Sequence, residues 1–275
     1  MDVYFDTNVY GHIYRRQHRI TNAVVKKLEE VVARGQLRIF TSYPVIEETN
    51  TARLSNLDEA NGRLELIRTL AVQDKIIKHH VDLLTDDIQT YANGTPFPTK
   101  IVPPLPGLRS IFWDHTAKNY AELDKAAVET QKQIVDFSTK MNDSFNKIRP
   151  QAEALRKGKK QQPFPDYWNE MAGPWAEQVI DMLGLSEQFK GKSIKGLLDV
   201  HSFRIHTVAE MSLNYANTYE RKTFGTGNSR DMHHVACASA VPIFVTHDGP
   251  LVYVLGRMPV KGLEVIDIHV LLKRL

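Results

Sequence analysis

The stretch Val3-Tyr4-Phe5-Asp6-Thr7-Asn8 reads as a short buried strand that stops at an aspartate and passes at once into a helix. An unbroken apolar run suits a strand covered on both faces, and a polar Asp-Thr-Asn turn suits the helix start that follows. Working outward, the helical pattern runs through Tyr14 and resumes from Asn22 to Arg34, and Gly35 closes it. Leu37 to Thr41 is a second β-rich run, and Pro44 marks a new helix start with Val45, Ile46 and Glu47 in its first turn. Lys75 to His79 follows a long helix as a third candidate strand, and Leu84 to Tyr91 is a helix ended by Asn93-Gly94. Near the other end, a helix from about Asp231 to Ala240 precedes β-rich runs at Ile243 to Thr246 and Leu263 to Ile266. Strand and helix in alternation predict an α/β fold, a parallel sheet flanked by helices.

The middle of the chain breaks that rhythm. From Thr95 to Gly107 it carries Pro96, Pro98, Pro103, Pro104 and Pro106, a composition that predicts an extended connector. Beyond it, Thr116 to Arg156, Asp166 to Leu183 and Ser193 to Arg221 have apolar residues at helical intervals. The expected organisation is therefore a discontinuous α/β domain, 1–94 and 221–275, interrupted by a mainly helical insertion, 95–220. With 275 residues, 42% of them hydrophobic and 24% charged, the chain is long enough for one sizeable core plus such an excursion. The longest apolar run, Val235 to Val245, holds Pro242 and is too short for a membrane helix. With strand-like residues in place of a signal peptide, and Cys237 the single cysteine, the expectation is a cytoplasmic, non-membrane protein without disulfides. A net charge of +3 is too small to argue for nucleic acid by itself, so any such case rests on local patches.

The chemistry-bearing candidates are Asp6, Glu47, Asp231 and Asp248. Each falls where a strand ends or a helix begins, and in open α/β sheets the functional crevice lies outside the carboxyl ends of the strands. Carboxylates that converge there repel one another unless a divalent cation neutralises them. Oxygen-only ligation favours Mg2+ or Mn2+, and the implied reaction is hydrolysis of a phosphodiester. Simpler roles exist for every one of them: Asp6 and Asp231 as helix N-caps, Glu47 as a first-turn carboxylate, Asp248 as a turn residue in Asp248-Gly249-Pro250. Asn8 and Thr246 are expected to support Asp6 or a metal-bound water by hydrogen bonds. His233 and His234, adjacent on a helix, point in different directions and are expected to be structural, and no histidine is assigned a catalytic role.

Taken together, Val3-Tyr4-Phe5-Asp6-Thr7-Asn8, Ser42-Tyr43-Pro44-Val45-Ile46-Glu47, Asp231-Met232-His233-His234-Val235-Ala236 and Phe244-Val245-Thr246-His247-Asp248 resemble the motifs of PIN-domain ribonucleases. The 17-residue interval from Asp231 to Asp248 is similar to that family's spacing. The resemblance covers about 1–94 and 221–275. It implies a Rossmann-like sheet, an acidic pocket holding Mg2+ or Mn2+, and cleavage of RNA by an endoribonuclease. It also favours Glu47 over its neighbour Glu48 by its distance from Thr41. A homodimer is the partner it suggests; no sequence feature stands behind an antitoxin-type partner. Arg15 and Arg16, with His18 and Arg19, are candidate guides for RNA near the first acidic motif, and Lys157, Lys159 and Lys160 form a second basic group beside Phe164, Tyr167 and Trp168, which are candidates for stacking on unpaired bases. Two rival readings remain. One is a non-catalytic module that binds RNA or protein; the other is a phosphatase using Asp6 as covalent nucleophile, which Asn8 disfavours because it stands where such enzymes carry a second aspartate.

Overall fold

A computed structural model describes residues 1–113, 122–133, 135–136, 139, 162–220 and 228–275. Its centre is β1 (Asp2–Phe5), whose Val3, Tyr4 and Phe5 are fully buried. β1 pairs in parallel with β2 (Arg38–Phe40) on one side and with β5 (Ile243–Val245) on the other, and β5 pairs in parallel with β6 (Glu264–Ile266). The result is a four-stranded parallel sheet of order β2-β1-β5-β6. In its register Tyr4 lies between Phe40 and Phe244. Because the strands are covered on both faces, they read as apolar runs, not alternating ones.

Helices follow the strands as expected. α1 (Thr7–Arg15) leaves β1, α2 (Asn22–Ala33) returns to β2, and α3 (Tyr43–Thr51) starts at Ser42, whose hydroxyl caps the Val45 amide, with Pro44 in the first turn. The long helix expected before Lys75 is divided: a 3-10 turn (Ala52–Leu54) ends α3, and Asn56 caps a new helix, α4 (Leu57–Leu70), by accepting the Glu59 amide. β3 (Ile76–Ile77) pairs antiparallel with β4 (Ile101–Val102), and a bridge from Ile77 to Ser42 joins this pair to the outer side of β2. α5 (His80–Asn93) is terminated by Gly94 at φ 65, a left-handed conformation that glycine adopts without a Cβ clash. The proline-rich connector is thus extended up to Leu105. Pro106 then opens α6 (Pro106–Phe112) at the one place where a missing N–H costs nothing.

The helical region comprises α7 (122–133), α8 (Phe164–Met182), α9 (Ser186–Phe189), α10 (Ile194–Leu197) and α11 (His201–Tyr219). The single helix expected from Ser193 to Arg221 is broken, because Val200 takes extended angles (φ −67, ψ 123). That break lets Leu197, Val200 and Phe203 pack into one cluster with Leu84 and Ile88 of α5. α11 also sends Ile205, Ala209 and Leu213 into the core under the sheet, so the helical region and the sheet share buried surface. α12 (Asn228–Ala238), α13 (Gly249–Gly256) and α14 (Ile268–Lys273) complete the fold. Phe164, Tyr167 and Trp168 lie inside an aromatic cluster with Tyr215 and are at most 8% exposed. They are core residues, unavailable for the base stacking that the sequence suggested. Among the described residues no helix is long and apolar enough to cross a membrane.

Candidate functional site

Asp6 is the first residue beyond β1, held there by its amide donating to the Val245 carbonyl at 3.0 Å. It occupies the N-cap position of α1, yet its side chain makes no capping bond. Its carboxylate instead accepts from the Thr246 hydroxyl at 2.9 Å and from the Asn8 amide at 3.4 Å. Asn8 and Thr246 therefore both hold Asp6. Thr246 is fixed in turn, since its oxygen accepts the Asp248 amide at 2.9 Å. The simpler role considered for Asp248 is that of a turn residue; it is instead the N-cap of α13, accepting the Leu251 amide at 2.9 Å, so one of its oxygens is engaged.

Asp231 enters from the first turn of α12. Burial and repulsion from Asp248 and Asp6 push its carboxyl up to about 7. Asp6 is raised as well, by burial and by the charges of Glu48 and Asp248, against the opposing pull of His234 and the Thr246 hydrogen bond. The charge of Asp248 contributes to both shifts, which marks the carboxylates just beyond β1, on α12 and in the β5–α13 turn as one electrostatic unit.

The glutamate that joins this unit is Glu48, not Glu47. One residue along a helix is a turn of about 100°, and α3 directs Glu48 toward Asp6 and His234 while Glu47 faces His79 and Arg230. The preference for Glu47 rested on a count from Thr41, which fixes a helix position to a residue or so but not the phase that selects a face.

His234 is the functional candidate that the sequence reading missed. Its Nε2 lies 3.1 Å from a Glu48 oxygen, 3.8 Å from an Asp6 oxygen and 3.3 Å from the Thr7 hydroxyl. Its Nδ1 is 2.5 Å from the Tyr4 hydroxyl, which lies 2.8 Å from Ser42 Oγ. Burial works against its protonation, but the charge and hydrogen bond of Glu48, with Asp6 and Asp231 behind them, lift it to about 9. The imidazolium in return holds Glu48 below the usual carboxylate range despite its burial. Two signals were present in the sequence: the Asp231–His234 interval, which puts both on one helix face, and a tyrosine inside an otherwise apolar strand. His233 behaves as expected of a structural residue, stacked on His80 with ring centroids 3.5 Å apart.

Arg15 is paired with Glu59 at 3.6 Å. Arg16 donates to Asn22 at 2.8 Å and to the Ile13 carbonyl at the end of α1. Lys157, Lys159 and Lys160 lie outside the described residues. Comparison of the chain with protein-family models, with curated proteins and with solved structures gave no match.

Whether these groups suit a divalent cation turns on donor chemistry and on placement. The donors are right for Mg2+ or Mn2+: all oxygen, anionic and mutually repelling. In placement, no three histidine, cysteine, aspartate or glutamate side chains among the described residues converge closely enough to hold a metal ion. The carboxylates are gathered but not closed, and His234 stands between Glu48 and Asp6.

Proposed function

We propose that this chain is a metal-dependent endoribonuclease of the PIN-like kind, using Asp6, Glu48, Asp231 and Asp248 at the carboxyl edge of its sheet with Mg2+ or Mn2+. The observation that carries the reading is that edge itself. Carboxylates from separate segments, two of them with raised affinity for protons, meet where α/β folds bind their ligands. A bound divalent cation supplies Lewis acidity toward water and toward the phosphodiester oxygens. The chain's own residues do the rest. Thr246 and Asn8 fix the Asp6 carboxylate, and His234, braced by Tyr4, orients Glu48. Asp231 holds a proton with an affinity near neutrality, so it is the acid whose charge state follows solution pH. The buried thiol of Cys237 takes no part and suits a reducing, cytoplasmic setting.

The test is cleavage of a labelled mixed-sequence RNA with Mg2+ or Mn2+, by the wild type and by Asp6→Asn and Asp231→Asn. The expected result is cleavage that needs the ion and that either substitution reduces at least about 100-fold. Cleavage undiminished in Asp6→Asn overturns the reading.

One observation favours the non-catalytic alternative. His234 already balances part of the carboxylate charge from within the fold, as a site that had ceased to need a cation would. On that alternative the protein retains RNA or a protein partner without any dependence on metal and cuts nothing.

A further inference from the structure

The turn after α1 is a run of exposed polar residues, Arg15 to Arg19. Three of its non-glycine residues, Arg16, His18 and Arg19, have left-handed backbones at φ 55, 51 and 62. Such conformations cost L-residues free energy, and they persist where the surroundings hold them for a reason. Here they place His18 against His12, with ring centroids 4.2 Å apart, and flat on His247 at 5.0 Å. His18 is anchored from below as well, its carbonyl bonded to His269 Nε2 at 2.5 Å. Neither Arg16 nor Arg19 forms an ion pair with a described residue. The acids nearby are engaged, Asp267 by the His269 and Val270 amides and Glu59 by Arg15 and Arg63.

This cationic turn is continuous with the acidic pocket. His247, under His18, stands between Thr246, which holds Asp6, and Asp248. We propose that the turn carrying Arg16, His18 and Arg19 is the dock for the phosphate backbone of a single-stranded RNA, and that the strand reaches the carboxylates over His247. Acids that must act on a phosphodiester repel it. Guanidinium groups with no acidic partner among the described residues, one imidazole away, supply the attraction that the pocket lacks, without neutralising the carboxylates themselves. The proposal rests on the nuclease reading for what happens to the strand, but its binding test is independent of cleavage.

The test uses a fluorescein-labelled, mixed-sequence single-stranded RNA and the full chain, with binding followed by anisotropy in EDTA across a salt series. Arg19→Gly removes one charge from a left-handed position where glycine is at ease, so it should leave the thermal midpoint unchanged or raise it. It should also weaken binding about 3- to 10-fold at low salt and lower the salt slope by about 0.7. Arg19→Asn, another residue tolerant of that conformation, should do the same, and Lys192→Gln in the helical region, an equal loss of charge, should do neither. Unchanged affinity and slope in both Arg19 variants, or no retention of RNA by the wild type, overturns the dock. Cleavage with Mn2+ by the same preparations keeps the two readings apart. RNA held through Arg19 but never cut overturns the nuclease and leaves the dock, whereas RNA cut by all variants with an unchanged KM overturns the dock and leaves the nuclease.

Discussion

Phe5, the last residue of β1, and Asp6, the first beyond it, are both shut away from water, at 0% and 2% exposure, yet they act on the fold in opposite directions. Up to Phe5 the sheet buries apolar rings and branched chains, and every one of them favours the folded state. From Asp6 onward the same sheet gathers Asp6, Glu48, Asp231 and Asp248, and the burial of Asp6 and Asp231 among these charges opposes folding. The contrast shows that burial alone does not define a core. The sheet's middle is built for stability, and its carboxyl edge is tolerated because a buried histidine and two hydroxyl-bearing side chains offset part of the cost. Substitutions on either side of this boundary should therefore change stability with opposite signs.

The largest effect belongs to the middle of the sheet. Phe244 is fully buried and stacks on Tyr4 with ring centroids 5.6 Å apart. Phe244→Ala should cost about 3–5 kcal/mol, read as a lower midpoint in chemical denaturation, and should loosen Tyr4 and through it His234. A cost under about 1 kcal/mol would erase the distinction between middle and edge.

Next comes the group that lets the edge exist. Removing the charge of His234 leaves Glu48 and Asp6 buried without their counter-ion, a change of about 3 kcal/mol. Because the folded protein holds the His234 proton up to about pH 9, against an ordinary value near 6.5, this contribution is full below about pH 6.5 and is lost as pH rises through about 9. His234→Gln should accordingly be much less stable than the wild type near pH 6, and thermal denaturation across the range should show the gap closing above about pH 9. A gap that stays constant with pH would mean that His234 acts by packing alone.

A smaller effect, of opposite sign, is expected at Asp231. Its carboxyl is raised to about 7, so between about pH 4 and 7 the folded chain keeps a proton that the unfolded chain gives up, and stability falls as pH rises through that window. Asp231→Asn should be about 1–2 kcal/mol more stable than the wild type at about pH 8 and equal to it at about pH 4. It should also lose cleavage. An asparagine variant that is less stable at high pH would show that Asp231 is stabilised by its surroundings and does not belong with the repelled carboxylates.

How much of this was legible in the sequence follows from the distance over which each signal acts. The strands and their order of use came from local runs, Val3 to Phe5 and Ile243 to Thr246, and Asp6 from the abrupt end of the first. Asn8 is two residues from the carboxylate it supports. Thr246 is 240 residues away, yet it was legible because both lie where neighbouring strands end. What escaped depends on angular phase or on packing between distant elements. Glu48 differs from Glu47 only by rotation about α3. The contact of His234 with Tyr4 spans 230 residues; the local signals, a tyrosine in an apolar strand and a histidine three residues after Asp231, mark each residue but do not pair them. The break at Val200 and the burial of Phe164, Tyr167 and Trp168 are set by a core shared between α5, α8 and α11, which no single helical pattern contains.

The finest test of the boundary lies within two adjacent residues of α3. Glu48 contacts His234 at 3.1 Å and is held ionised by it, whereas Glu47 is raised by burial and eased by His79. Glu48→Gln should reduce cleavage about 100-fold, because it removes an anionic donor and releases His234 toward Asp6. Glu47→Gln, which only takes a charge out of a half-buried place, should be neutral or stabilising by about 0.5 kcal/mol and should alter cleavage by no more than about threefold. The comparison is best made on one RNA at one Mn2+ concentration, with both thermal midpoints measured alongside. If Glu47→Gln were the inactive variant, ligation would have to turn α3 by about one residue. The acidic edge would then be assembled from a different helix face than the one that His234 now holds in place.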